Sequence, residues 1–198
     1  MKTGLIIIAV VVLAVIILGM ILINGLNQVV TYDENVTAAW AQVENQYQRR
    51  LDLRPNLVET VKGVAGFEKE TYTAVTEARA KASQIKVTPE MMTDPRAFGK
   101  FQAAQNSLGS ALSRLLVTVE NYPQLKANEN FLTLQAQLEG TENRIAVERR
   151  RYNEAAQSFN TYIRRIPGMF FAALRGLTEP RVYFEAASGA EEAPKVAF

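Results

Sequence analysis

Residues 131–166 read FLTLQAQLEGTENRIAVERRRYNEAAQSFNTYIRRI, and within them Phe131, Leu138, Ile145, Tyr152, Phe159 and Ile166 recur every seven residues. A seven-residue repeat keeps side chains on one face of an α-helix, whereas a strand alternates faces every second residue. The stretch is therefore a long helix with one apolar stripe. Asn128 stands where an N-cap belongs, and Pro167-Gly168 cannot continue the helix.

Working back toward the N-terminus, Phe98, Phe101, Gln105, Leu108, Leu112, Leu115, Val119 and Tyr122 alternate steps of three and four, a heptad seam with one polar member, ending before Pro123. The segment Lys86 to Asp94 carries Pro89 and no periodicity, and reads as a loop. Before it, Leu57, Val61, Val64, Val75, Ala78, Ala82 and Ile85 form a second helix, and Val36, Trp40, Val43, Tyr47 and Leu51 a first. Leu53-Arg54-Pro55 is expected to separate these two, because proline disfavours a helical predecessor. Gly63, Gly66, Gly99, Gly109 and Gly140 fall inside helical segments, where each costs about 1 kcal/mol relative to alanine, so close backbone contacts are expected there.

At the other end of the chain, Leu5 to Ile23 reads LIIIAVVVLAVIILGMILI without a charge, a length that crosses a bilayer core as a helix. No Ala-x-Ala-like site follows it, which reads as an uncleaved signal anchor rather than a cleaved leader. Lys2 precedes the run, while Asp33, Glu34 and Glu44 are the first charges after it. Positive-inside then places the N-terminus in the cytoplasm and the rest of the chain outside the cytoplasmic membrane. The expected fold is all-α, an N-terminal transmembrane helix followed by an antiparallel up-down-up-down four-helix bundle. The alternative is a kinked two-hairpin arrangement in which the first bundle helix runs into the second. The division is 1–26 anchor, 27–167 bundle and 168–198 non-bundle tail.

Composition limits the chemistry. The 198 residues carry 22 lysines and arginines against 20 acidic residues, with no histidine and no cysteine. So balanced a charge gives no field for nucleic acid, and Arg149-Arg150-Arg151 turns through successive faces of its helix amid Glu142, Glu148 and Glu154. Thiol nucleophiles, imidazole bases and the usual zinc or di-iron ligand sets are excluded. No phosphate loop or nucleophile elbow is present, and no cofactor is implied.

Several strings resemble the LemA family: Ala39-Trp40-Ala41-Gln42, Arg49 to Gly63 (RRLDLRPNLVETVKG), Tyr122 to Phe131 (YPQLKANENF), Leu138 to Val147 (LEGTENRIAV), Arg151-Tyr152-Asn153-Glu154, Tyr183-Phe184-Glu185-Ala186 and Pro194-Lys195-Val196-Ala197-Phe198. The resemblance covers nearly the whole chain after the anchor and implies a membrane helix with a helical bundle, but no biochemical activity. Arg54 and Phe67 depart from the pattern, which has an aliphatic residue and a histidine there.

Two candidate sites remain. The first is an inward polar layer of Glu68, Glu142, Asn143, Arg144, Glu148 and Arg149, with Glu68 and Glu142 at comparable heights. Its functional reading is a shared proton or an oxygen-ligated cation; its structural reading, the favoured one, is an ion pair with Arg50, Arg144 or Arg149, or a hydrogen bond to Asn143, that fixes packing register. The second is Arg164, Arg165, Phe170 and Phe171, basic residues followed by aromatics, which suit contact with membrane lipid or another subunit, or capping of their own bundle. The function expected is a non-enzymatic, membrane-anchored scaffold or interaction protein, homo-oligomeric, with an unidentified protein partner and no nucleic acid. The alternatives are a carboxylate or metal-dependent enzyme and a sensor binding peptide or lipid in an interhelical groove.

Overall fold

The computed structural model describes residues 2–64 and 68–185, with the side chains of 2 and 54–56 excepted. The elements are α1 (Lys2–Lys62), α2 (Lys69–Gln84), a 3-10 turn (Pro89–Met92), α3 (Pro95–Val119), α4 (Pro123–Lys126), α5 (Glu129–Arg164) and α6 (Gly168–Arg175). The described residues contain no strand. The fold is all-helical, and α1 contains a segment long and apolar enough to cross a membrane.

α1 corrects one boundary. It passes through Pro55 without a break and ends at Lys62, so the first bundle helix runs into the start of the second. An interior proline costs about 3 kcal/mol. Leu57, Val58 and Val61, all buried just beyond it, contribute about 2 kcal/mol each, which outweighs that penalty. The end comes instead at Gly63, where Gly63 N donates to Glu59 O and Val64 N reaches only three residues back to Val61 O. The second predicted helix is thus represented by the last turns of α1 and by α2. The loop before α3 also contains the 3-10 turn, whose Met91 and Met92 are buried.

The other helix limits follow the caps. Asp94 accepts from Arg96 N at 2.8 Å to start α3, and Asn128 Oδ1 accepts from Phe131 N at 3.1 Å to start α5. Every member of the predicted α3 seam from Phe98 to Val119 is buried, Gln105 included. In the seven-residue series of α5 the first five members are buried and the last, Ile166, is 77% exposed. The glycine expectation fails at Gly99 and Gly140, around which a Cβ would meet nothing within 4 Å. Gly66 lies outside the described residues.

The chain groups into two compact units. The first joins Met1–Ala39 to Glu154–Arg181. Its residues 3–24 are exposed throughout, and burial begins at Gly25, Val29 and Val36 on α1, with Ala156, Phe159, Asn160 and Ile163 on α5 and Gly168, Phe171 and Ala172 on α6. The ring of Phe171 lies so close over Gly25 that a Cβ there would sit 2.0 Å from it. Tyr162 donates its hydroxyl to Gly25 O at 2.8 Å and packs its ring against Tyr32. Asn160 Nδ2 donates to Arg181 O and its Oδ1 accepts from Arg181 N, while the Arg181 guanidinium pairs with Asp33.

The second unit joins Trp40–Asn153 to Val182–Phe198. One core cluster takes Leu57, Val58 and Val61 from α1, Val75, Ala78 and Ala82 from α2, Leu108 to Val119 from α3, Leu125 from α4, and Phe131 and Leu138 from α5. An aromatic cluster gathers Trp40, Phe98, Phe101, Tyr152 and Phe184 with ring centroids 4.7 to 6.1 Å apart. Phe184 reaches it from an extended segment held by Val182 N to Met92 O at 2.8 Å and Tyr152 Oη to Val182 O at 3.0 Å. Residues 186–198, with the acidic pair Glu191-Glu192 and the string Pro194 to Phe198, lie outside the described residues, as does Phe67.

Candidate functional site

Between the aromatic cluster and the aliphatic core lies a polar layer that begins with Arg50. Trp40, Val43, Tyr47 and Arg50 follow at steps of three, four and three, so a charged residue takes a core position of α1. Its side chain is 3% exposed. A buried guanidinium is costly unless its donors find partners; here Nε is buried without one, and the two terminal nitrogens carry the pairing. Nη1 reaches both carboxylate oxygens of Glu142 on α5, at 3.1 and 3.2 Å, and Nη2 donates to the Gln105 carbonyl at 2.9 Å and to its side-chain oxygen on α3. The one polar member of the α3 seam is therefore an acceptor for the one charge in the α1 seam.

A second arginine closes the layer. Arg149, seven residues after Glu142, donates from Nε to the Tyr47 hydroxyl and from Nη2 to Asn106 Oδ1 at 3.1 Å. Its guanidinium lies 5.0 Å from the Phe184 ring centroid and 5.5 Å from that of Tyr47, and Arg50 stands 5.0 Å from Tyr47 on its own account. Burial pushes the Tyr47 phenol above its ordinary range, Arg149 and Arg50 oppose that shift, and Glu142 adds to it. Two arginines and one carboxylate thus act on a neutral phenol. The groove beside them, about 850 Å³, is lined by Arg50, Gly109, Arg114, Glu139, Asn143 and Arg149 among others.

Of the six residues expected in an inward layer, Glu142 and Arg149 belong to it. Glu68 is exposed beside the start of α2, where its carboxylate accepts from Thr71 at 3.1 Å, and does not meet Glu142. Asn143 and Arg144 face solvent. Glu148 does face inward, its side chain only 14% exposed, but its carboxylate pairs with Arg151 at 2.8 Å and not with Arg50 or Arg149. The spacing of α5 explains the split: residues 142 and 149 sit one heptad apart beside the Leu138–Ile145–Tyr152 stripe, whereas 143 and 144 turn away. Tyr47, Gln105 and Asn106 complete the layer and were not among the expected six. Gln105 carried a readable signal as a polar residue in a core seam. Among the described residues no group of three or more His, Cys, Asp or Glu is placed to hold a metal ion.

At the other candidate site, Arg164, Arg165 and Phe170 are exposed, while Phe171 is buried against Gly25.

These features define a class, an all-helical protein whose long N-terminal apolar helix is compatible with a membrane anchor. Residues 39–198 match the LemA family, and the chain belongs to that family. Among its relatives are magnetosome protein MamQ 2 of Paramagnetospirillum magneticum, 27% identical over 179 aligned positions that cover 82% of this chain, and magnetosome protein MamQ of Magnetospirillum gryphiswaldense, 26% identical over 179. Protein LemA of Metamycoplasma hominis is 26% identical over 137 positions, 69% of this chain. The match spans 66% of the MamQ proteins' own length and 58% of that LemA protein's.

Proposed function

We propose that this LemA-family chain is a non-enzymatic, membrane-anchored interaction protein. A single span holds it in the cytoplasmic membrane with the N-terminus inside, and its helical part stands outside as an up-down-up-down antiparallel bundle. The observation that carries this reading is α1 itself. One unbroken helix exposes apolar side chains over residues 3–24, then buries Val36 in the first unit and Trp40, Val43, Tyr47 and Arg50 in the second. The bundle topology is supported by four pairings. Trp40 with Phe98 and Arg50 with Gln105 rise together along α1 and α3, while Tyr152 and Glu142, which meet the same two residues, descend along α5.

The non-enzymatic part is supported by how the charged groups of the layer are engaged with one another. Glu142 is engaged by Arg50, and Arg149 by Tyr47 and Asn106. The carboxylate-enzyme alternative needs Glu68 beside Glu142, and Glu68 is spent on Thr71. A groove-binding sensor is favoured by one observation, the cavity beside Arg50, Arg114 and Arg149. Self-association and binding of another protein are the activities proposed, with no role in nucleic-acid binding.

The test is cell-surface crosslinking of the full chain in spheroplasts, followed by mass spectrometry and by sizing in detergent. Crosslinks to a second copy or to one protein, together with protease digestion of the bundle from outside, are expected. A monomer that crosslinks to nothing, or a bundle protected from added protease, overturns the reading.

A further inference from the structure

Among the described residues outside 3–24, exposed large apolar side chains are few, and half of them are neighbours. Val117, Leu132, Val147 and Tyr183 are scattered, but Ile166, Met169, Phe170 and Leu174 fall within nine residues. Helix α6 reads GMFFAALR, with no charge before its last residue. At about 100 degrees per residue, Met169, Phe170, Ala173 and Leu174 share one face, opposite Gly168, Phe171 and Ala172, which are buried. A helix apolar on both faces is normally covered on both. Here one face is packed and the other is bare, with Phe170 58% and Leu174 69% exposed.

The place of that bare face names what covers it. Phe171, on the packed side, is seated on Gly25, two residues beyond Ile23 and the end of the apolar run. At about 1.5 Å rise per residue, Gly25 stands about 3 Å past the end of that continuous apolar run. From Leu5 to Ile23 the run measures about 28 Å, close to the hydrocarbon thickness of a bilayer. α6 is therefore held at the height where acyl chains give way to head groups. The charge around it fits the same surface. Between Glu154 and Glu179 the sequence has no acidic residue and three arginines, Arg164, Arg165 and Arg175, all exposed.

We propose that Ile166 and α6 form a second membrane contact, an interfacial foot whose Met169, Phe170 and Leu174 enter the lipid layer beside the anchor while Arg164, Arg165 and Arg175 meet anionic phosphates. Each such arginine near a charged surface adds attraction that falls off within a Debye length. The foot fixes the angle at which the first unit leaves the bilayer. This inference rests on the anchored reading but fails separately from it.

The chain lacks cysteine, so single cysteines can be labelled without background. Phe170→Cys, Leu174→Cys and the control Val117→Cys, whose side chain is 70% exposed on α3, are labelled with an environment-sensitive fluorophore. Each full-length variant is reconstituted in vesicles of phosphatidylcholine with phosphatidylglycerol, with or without lipids carrying shallow spin-label quenchers. Blue-shifted emission and strong quenching at 170 and 174, with little at 117, are expected. Quenching at 170 and 174 no greater than at 117, in protein that floats with the vesicles, overturns the foot and leaves the anchor standing. Protein that does not float overturns the anchored reading. Self-quenching that fades as protein is diluted in lipid, without quenching by the spin labels, means a second copy covers the face and also overturns the proposal. Vesicles lacking phosphatidylglycerol should quench less, and Arg164→Gln/Arg165→Gln/Arg175→Gln should abolish that difference; equal quenching in both lipids removes the arginines from the contact.

Discussion

Asn153 holds both backbone groups of Phe184: its Nδ2 donates to the Phe184 carbonyl at 2.9 Å and its Oδ1 accepts from the Phe184 N–H at 2.9 Å. One asparagine thus replaces the partner strand that an extended segment would otherwise need. Asn153→Ala should destabilise the chain by about 2 kcal/mol, because two hydrogen bonds of half-buried groups go unmade. Trp40, the only tryptophan, stacks on Phe184 with centroids 5.9 Å apart, so its emission should change before global unfolding. Urea titration read by Trp40 fluorescence checks both; emission and midpoint equal to those of the parent would mean that the clamp does not seat Phe184.

Arg50 offers a contrast between breaking and replacing a polar layer. Arg50→Ala leaves Glu142 and the Gln105 carbonyl without their donor and should cost about 3 kcal/mol, the low end for such losses because Glu142 is partly exposed and can take water instead. The double variant Arg50→Met/Glu142→Leu should recover most of that loss. A double variant as unstable as the single one would show that the layer contributes net stability, not register alone.

A clash test applies to Gly25. A Cβ there would sit 2.0 to 2.4 Å from ring atoms of Phe171. Overpacking of this kind costs about 2 kcal/mol, while the helical preference of alanine returns about 1. Gly25→Ala should therefore be destabilising by about 1 kcal/mol, with faster amide exchange confined to α6. Gly19→Ala, around which a Cβ meets nothing within 4 Å, should leave exchange in α6 unchanged. Equal exchange in the two variants would remove Phe171 from its seat on α1.

Alkaline pH should expose Tyr47. Its folded-state pKa is raised above the ordinary 10, chiefly by burial, so the unfolded chain gives up this proton first. The stability linked to Tyr47 is complete below pH 10 and is lost as pH climbs from there through the folded value. Tyr47→Phe should flatten the decline in unfolding free energy above pH 10, relative to the parent. Tyr162, raised in the same direction by burial and by Tyr32, should retain its own share. Parallel profiles for parent and Tyr47→Phe would contradict the assignment.

Helix existence and facing were legible in the sequence because seams repeat. The α3 series from Phe98 to Val119 is buried residue for residue, and Asn128 caps α5 as its position indicated. The exit of α1 at Gly63 rather than Pro55 was not legible, since the local penalty of proline is plain while the burial that offsets it is a property of the assembled core. The polar layer was half legible. Glu142 and Arg149 stand beside a visible stripe, but Glu68 was placed by counting residues along a helix that in fact begins after it. Arg50 would have been found by following the three-four alternation one step beyond Tyr47 instead of choosing the apolar Leu51.

Phe184 also sets a schedule for biosynthesis. It stacks on Trp40, a partner made 144 residues earlier (184 − 40), so the aromatic cluster is incomplete until residue 184 has left the ribosome. At ordinary elongation rates that interval lasts roughly 7 to 30 s. Until then Trp40, Phe98 and Tyr152, as each is made, lack one of their neighbours, while the first helix is already complete in sequence. If the first helix anchors the chain as proposed, the waiting intermediate is tethered at one end and unfinished at the other.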